Sequence, residues 1–257
     1  MNIPFSQIIS RENTGAAKWD ALPEAGPGEP SYLPLNVADM DIAAPDVITR
    51  ALHHTADQRI YGYTSEAGVP AFKESLQKWL KKRFDLALPT ESFVPGSGTI
   101  DLIRAAVFAF SNPGDGIIIQ RPVYGHFTHT ITEECQRRPV SARLKRDENG
   151  QYHQDFEALE KACSDPLNKI FILCSPHNPV GRIWTEEELR QIIEICQKHR
   201  VLLISDEVHA DLIRSDQRHV PILKLDSDYP YIIMLYGISK SFNCAGLQCA
   251  NALIPDA

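Results

Sequence analysis

The chain has 257 residues, a formal net charge of −7, 43% hydrophobic and 23% charged side chains, which is the make-up of a globular protein long enough to bury a large core. The acidic balance and the absence of a basic run argue against a nucleic-acid partner, and no apolar stretch approaches the length that spans a bilayer. The start, "MNIPFSQIIS", has no basic segment followed by a long apolar one, and the six cysteines form no CxxC pair or metal-ligand spacing; reduced thiols in the cytoplasm and no metal site are expected.

Residues 1–45 are rich in Pro, Gly and short polar turns, and "LPEAGPGEPSYLP" suits neither a long helix nor a central strand. An arm or extended lead-in is expected, with residues 1–50 as the arm and the start of a small domain and 51–257 as a large domain. Helices are expected through "DVITRALHHTAD" and through "VPAFKESLQKWLKKRF". The second has apolar residues at 72, 76, 79, 80 and 84, with Pro70 in its first turn.

Beyond residue 90 the pattern changes. "GIIIQ" (116–120), "KIFILC" (169–174), "VLLISD" (201–206) and "YIIMLY" (231–236) are continuous apolar runs, the signature of parallel strands covered on both faces. Between two of them, "TEEELRQIIEICQKHR" predicts a helix capped by Thr185 and Glu188, with Leu189, Ile192, Ile193 and Cys196 on its apolar side. Strand, helix and strand make a right-handed unit. The fold class expected is α/β, a mostly parallel sheet with helices on both faces.

In such sheets ligands bind beyond the carboxyl ends of the strands, so the residues standing there are the candidates. Tyr124, Asn178, Asp206, His209 and Lys240 each come closely after one of the four runs or end it. Earlier, "PGSGTIDL" sets a Gly-rich turn before a helix, where Gly98, Thr99 and Ile100 would present backbone N–H groups to an anion; taken alone, a turn that caps a helix explains it as well. Asp206 alone could cap a helix, Asn178 could be turn chemistry, Tyr124 could be packing, and His209 and Lys240 could be surface residues. Taken together, a phosphate cradle, a stacking ring, an aspartate for a ring nitrogen and a strand-end lysine are the parts that hold pyridoxal 5'-phosphate.

"SPHNPVGRIWT", "ISDEVHADL" and "SKSFNCAGLQ" resemble the signature stretches of fold-type I pyridoxal-phosphate enzymes, the aspartate aminotransferase superfamily. "RENTGAAKWD", "LPLNVADMDIAAPDVI" and "YGYTS" are similar to the MalY/PatB group of cystathionine β-lyases, from about residue 5 to the end. The resemblance implies the large domain of that fold with an incomplete small domain. It also implies that Lys240 forms the Schiff base, Asp206 pairs with the pyridine nitrogen, and Asn178 and His209 approach the ring oxygen. Tyr124 would stack on the ring, Gly98, Thr99, Ile100 and Ser239 would hold the phosphate, and Tyr63 would reach the phosphate of the partner subunit in a homodimer. The implied activity is a carbon–sulfur β-lyase acting on L-cystathionine or related cysteine S-conjugates, a small-molecule substrate.

Two positions depart from the superfamily's pattern: Gly237 stands three residues before the lysine where serine is frequent, and Gln248 stands eight after it where aminotransferases carry arginine. The family continues past this length into the rest of a small domain, with the arginine that grips the substrate's α-carboxylate; here no arginine follows Arg218. A truncated chain is therefore expected. An aminotransferase, an inactive fragment and a regulatory binding protein are the rivals. A nicotinamide dehydrogenase is a weaker one, because the Gly-rich turn lacks a third glycine and a following acidic residue.

Overall fold

A computed structural model describes residues 8–23, 26, 32–65, 69–225 and 229–255; most of the stretch "LPEAGPGEPSYLP" lies outside them. The chain forms two compact units, Met1–Tyr63 with Ile238–Leu247, and Thr64–Gly237 with Gln248–Ala257.

The first unit contains helix α1 (Asp46–Gln58), which begins directly after Pro45 and ends at Arg59 in the left-handed conformation. Its packing is built on charge. Lys18, although buried, is 2.7 Å from Asp41 and donates to the Asp39 carbonyl at 2.9 Å. Trp19 Nε1 donates to the other oxygen of Asp41 at 2.8 Å, and Arg11 lies 2.6 Å from Asp39. The Lys18 ammonium and the Trp19 indole hold the Asp41 carboxyl below its ordinary range. Thus "RENTGAAKWD" and "NVADMD" are two halves of one ionic clasp.

The second unit opens with α2 (Pro70–Phe84), with Pro at the first helical position and Leu76, Leu80 and Phe84 buried. In chain order come β1 (Phe93–Gly96), α3 (Thr99–Phe110), β2 (Gly116–Ile119), α4 (Gly125–His129), β3 (Arg138–Ser141), β4 (Lys145–Arg146), β5 (Tyr152–His153) and α5 (Phe156–Cys163). The chain continues through β6 (Asn168–Cys174), α6 (Glu186–His199), β7 (Leu202–Asp206), α7 (Ile222–Leu225), β8 (Ile232–Gly237) and β9 (Ala250–Leu253). Seven strands form one sheet in the order β1-β9-β8-β7-β6-β2-β3, while β4 and β5 make a separate antiparallel pair. The neighbours from β8 through β7, β6 and β2 to β3 are parallel; β9 runs against both β8 and β1.

The four apolar runs are strands buried on both faces, as their composition predicts. Successive residues point to opposite sides of a strand, so the runs divide between two cores. Ile118, Phe171, Leu173, Leu203 and Met234 pack with Leu80, Leu189, Ile192 and Cys196 on one face. Ile117, Ile119, Ile170, Ile172, Ile204, Ile233 and Leu235 pack with Ile103 and Val107 of α3 on the other. Burying one such side chain contributes about 1.5–3 kcal/mol before conformational entropy is charged against it. Among the described residues, no helix is long and apolar enough to cross a membrane.

Helix α6 begins as its sequence predicts. Thr185 Oγ1 accepts from Glu188 N at 3.2 Å, and the Glu188 carboxylate accepts from Thr185 N at 2.8 Å, a complete capping box. Thr185→Ala removes one half of it and is expected to lower stability by about 1 kcal/mol, measured as a lower urea midpoint with an unchanged slope.

Candidate active site

The site is built where β2, β6 and β7 end. β7 carries Ile204 into the core on the face of α3, and two residues later the same face presents Asp206. Its carboxylate accepts from Thr99 Oγ1 at 3.3 Å, so the first residue of α3 meets the last residue of β7. Val208 N also donates to Asp206, at 3.2 Å. Gly98 is the N-cap of α3 with φ 157° and ψ 163°, a conformation that glycine alone adopts readily, and open space surrounds the place where a Cβ would stand. No side chain caps this helix, so the N–H groups of its first turn face outward with the positive end of the dipole.

After β2 the chain runs through Arg121 and a cis Pro122 to Tyr124, the residue that precedes α4. Tyr124 is 36% exposed, and its ring contacts Phe127 edge-on at 5.8 Å. Burial, and secondarily the Asp206 carboxylate, push its hydroxyl pKa up, which sets ring and carboxylate within electrostatic reach of each other.

After β6 comes "SPHNPVGRIW", with cis bonds at Ser175–Pro176 and Asn178–Pro179. The turn closes through His177 N to the Arg182 carbonyl (2.8 Å) and Gly181 N to the His177 carbonyl (2.8 Å), and Gly181 has a positive φ of 74°. Behind it, Trp184 Nε1 donates to the Cys174 carbonyl at 2.9 Å and the Arg182 guanidinium lies over the Trp184 ring. His177 Nε2 is 2.9 Å from the Pro122 carbonyl oxygen, tying this turn to the one that carries Tyr124. Asn178 is half-buried, and its backbone N–H donates to Cys174 Sγ at 3.3 Å. His209 is half-buried in the turn after β7. The second unit therefore brings Gly98, Thr99, Ile100, Tyr124, Asn178, Asp206 and His209 to one edge of the sheet.

Lys240, Ser239 and Tyr63 belong to the first unit. Lys240 stands three residues past the end of β8, half-buried, and its Nζ donates to the Ala38 carbonyl at 3.3 Å. Its loop is fixed by Asn243, a residue that sequence reasoning does not single out. Asn243 Oδ1 accepts from Met40 N at 3.1 Å, while Nδ2 donates to the carbonyls of Met40 (3.1 Å) and Ile42 (2.7 Å). A left-handed φ of 51° is tolerated at Asn243; an asparagine in a loop of small residues is the signal that marks such a turn. Tyr63 is fully exposed. Cys174 is likewise absent from the sequence-based candidates. It pairs with Asp206 across β6 and β7, and burial followed by the Asp206 charge pushes its thiol up to about 12.

The family model "Aminotransferase class I and II" matches residues 30–257. The chain belongs to that family. It is 38% identical to cystathionine beta-lyase PatB of Bacillus subtilis over 253 residues, 98% of this chain and 64% of that protein. Among solved structures it superposes on cystalysin from Treponema denticola, which contains a pyridoxal 5'-phosphate cofactor, with a TM-score of 0.90 at 36% identity over 99% of this chain and 64% of that one. It also superposes on the PLP-bound C-S lyase from Staphylococcus hominis (TM-score 0.88, 32% identity, 98% of this chain and 63% of that one). The chain thus spans slightly less than two-thirds of the length of these family members.

The raised Cys174 pKa has two consequences. The native thiol is expected to resist iodoacetamide at pH 8 and to react once urea unfolds the chain, read by peptide mass spectrometry. Its folded pKa lies above the unfolded value of 9.0, so its contribution to stability is complete below pH 9 and is lost as the pH rises through about 12; Cys174→Ser is expected to flatten the alkaline limb of the stability–pH curve.

Proposed function

We propose that the chain is the cofactor-binding part of a pyridoxal-phosphate-dependent carbon–sulfur β-lyase, which cleaves L-cystathionine or a related cysteine S-conjugate to a thiol, pyruvate and ammonia. The observation that carries this reading is the meeting of Thr99 and Asp206 at the open N-terminus of α3. A helix start with outward-facing N–H groups suits a phosphate, and a buried carboxylate beside it suits a protonated ring nitrogen. An aromatic face within electrostatic reach of that carboxylate, Tyr124, suits a stacked heteroaromatic ring. The donor set fits the cofactor. The likeness to cystalysin and to the Staphylococcus hominis C-S lyase supports the same choice.

When bound, pyridoxal phosphate supplies an electron sink for the pair left at the substrate's Cα. The chain's own residues do the rest. Gly98, Thr99 and Ile100, with Ser239, would hold the phosphate. Asp206 would keep the pyridine nitrogen protonated, Tyr124 would cover the ring, and Asn178 and His209 would orient the ring oxygen. Lys240 would anchor the cofactor and would serve as the general base for the substrate's Cα proton. Loss of that proton sets up departure of the thiolate from Cβ.

A homodimer in which Tyr63 serves the partner's site belongs to the same proposal. Leu33, Leu35, Ile60, Tyr61 and Tyr63 of the first unit are largely exposed, which supports a covering partner. Six free thiols, five of them buried, agree with a reducing compartment such as the cytoplasm.

The test is to mix the chain with pyridoxal phosphate, reduce with borohydride and map the modified peptide. The expected result is one labelled residue, Lys240, with no label in Lys240→Ala; labelling spread over several lysines would sink the reading. Asp206→Asn is expected to lower β-elimination by at least about 100-fold in the complete enzyme while Lys240 still labels, because an uncharged partner no longer holds the nitrogen's proton.

A further inference from the structure

Glu207 has no part in the function above, yet it is completely buried and directly follows Asp206. Consecutive residues of an extended chain point to opposite faces. Asp206 faces α3, so Glu207 projects to the other side, the side that also holds Ser205. There its carboxylate collects three contacts. Ser205 Oγ donates at 2.9 Å, Ile222 N donates at 2.9 Å, and His219 Nε2 lies 2.6 Å from the second oxygen. His219 is itself buried and rests edge-on against Phe84, the last residue of α2 (centroids 5.7 Å apart, planes at 76°).

A buried carboxylate is costly, and an apolar residue of similar size would fill the same space more cheaply. What a carboxylate with three directed partners adds is a fixed orientation. The peptide joining the two acids is held as well: Ser175 N donates to the Asp206 carbonyl at 3.0 Å, and Glu207 N donates to the Leu235 carbonyl at 2.9 Å. The next turn begins from the same residue, with Ala210 N donating to the Glu207 carbonyl at 3.0 Å. On the ligand side, the bonds to Asp206 from Thr99 and Val208 are longer, at 3.3 and 3.2 Å.

We propose that Glu207, held by Ser205 and His219, is a positioning residue for Asp206: anchored behind the sheet, it fixes the strand end and so the aim of the carboxylate toward the cofactor's ring nitrogen. This rests on the pyridoxal-phosphate reading. The ring nitrogen is the atom whose recognition depends on that aim, whereas the phosphate cradle at Gly98, Thr99 and Ile100 is built on another element.

The experiment compares equilibrium binding of pyridoxal phosphate with that of its deaza analogue, in which a C–H replaces the ring nitrogen. The proteins are the wild-type chain, Glu207→Gln, Ser205→Ala and Asp206→Asn. The wild type is expected to prefer pyridoxal phosphate and Asp206→Asn to lose that preference. Glu207→Gln is expected to reduce the preference about tenfold, the scale on which supporting partners behind a ligand act, and Ser205→Ala to reduce it less in the same direction. A residue that only packs the core would weaken both ligands equally, so an unchanged preference in both variants overturns the inference even if both affinities fall. If Glu207→Gln does not fold, judged by circular dichroism, Ser205→Ala decides. A wild type that binds neither ligand overturns the cofactor reading and this inference with it; a wild type that binds both equally overturns the inference and the pairing of Asp206 with the ring nitrogen, and leaves the phosphate and lysine sites standing.

Discussion

Strands covered on both faces have no side left for chemistry. Each of β2, β6, β7 and β8 deals its side chains alternately into two apolar cores, and a polar group placed within either core would need partners that apolar neighbours do not supply. Parallel direction then forces all four strands to finish at the same edge. Reactive residues accumulate there because nowhere else along these strands tolerates them. Asp206 marks the crossover: it keeps the facing of Ile204, but it is the last residue of its strand and meets Thr99 in place of another apolar side chain.

The turns beyond that edge are stiffened by residues that do two jobs. Glu188 completes the cap of α6 and at the same time receives Arg182 through both its oxygens at 2.7 Å. Arg182 in turn covers Trp184 and accepts from His177 N through its carbonyl. One guanidinium nitrogen, Arg182 Nη2, lies between both carboxylate oxygens, a charge-assisted contact that is stronger than a neutral hydrogen bond. The helix start and the loop bearing Asn178 are thereby one object, and the loop's shape depends on the position of α6. In the first unit Asn243 does a similar job, fastening the Lys240 loop to the 40–42 segment by three hydrogen bonds.

The parts of the fold readable in sequence are those whose physics is local. Four apolar runs are four buried strands, and the Thr185 and Glu188 pattern is a capping box. β1 and β9 are not readable: "FVPG" contains a proline and "ANAL" is short and without β-branched residues, so neither advertises a strand. Each is a strand because of what it pairs with, and β1 meets β9 across most of the chain, Phe93 against Leu253. α5 is also hard to see, since eight residues give the helical period little room to declare itself. Standing at or just past the end of an apolar run is enough to place Tyr124, Asn178, Asp206 and His209 at the carboxyl edge of the sheet. Glu207, Cys174 and Asn243 stay hidden because the partners that set their surroundings, His219 and Ile222 for Glu207, Asp206 for Cys174, and Met40 and Ile42 for Asn243, lie on other parts of the chain.

The chain leaves the second unit after Gly237, spends residues 238–247 in the first, and returns as β9, which inserts between β8 and β1 instead of adding to an edge. A strand that is made after both of its neighbours and occupies an interior position imposes an order of events. As the polypeptide emerges from the ribosome, β1 and the far side of β8 remain open edges until residues 250–253 are available, and the ten-residue excursion bearing Lys240 must be threaded out before they can close. Contacts this remote in sequence slow folding, and unpaired edges held open meanwhile invite association with other chains. Lys240 is thus carried on the segment whose completion seals the sheet.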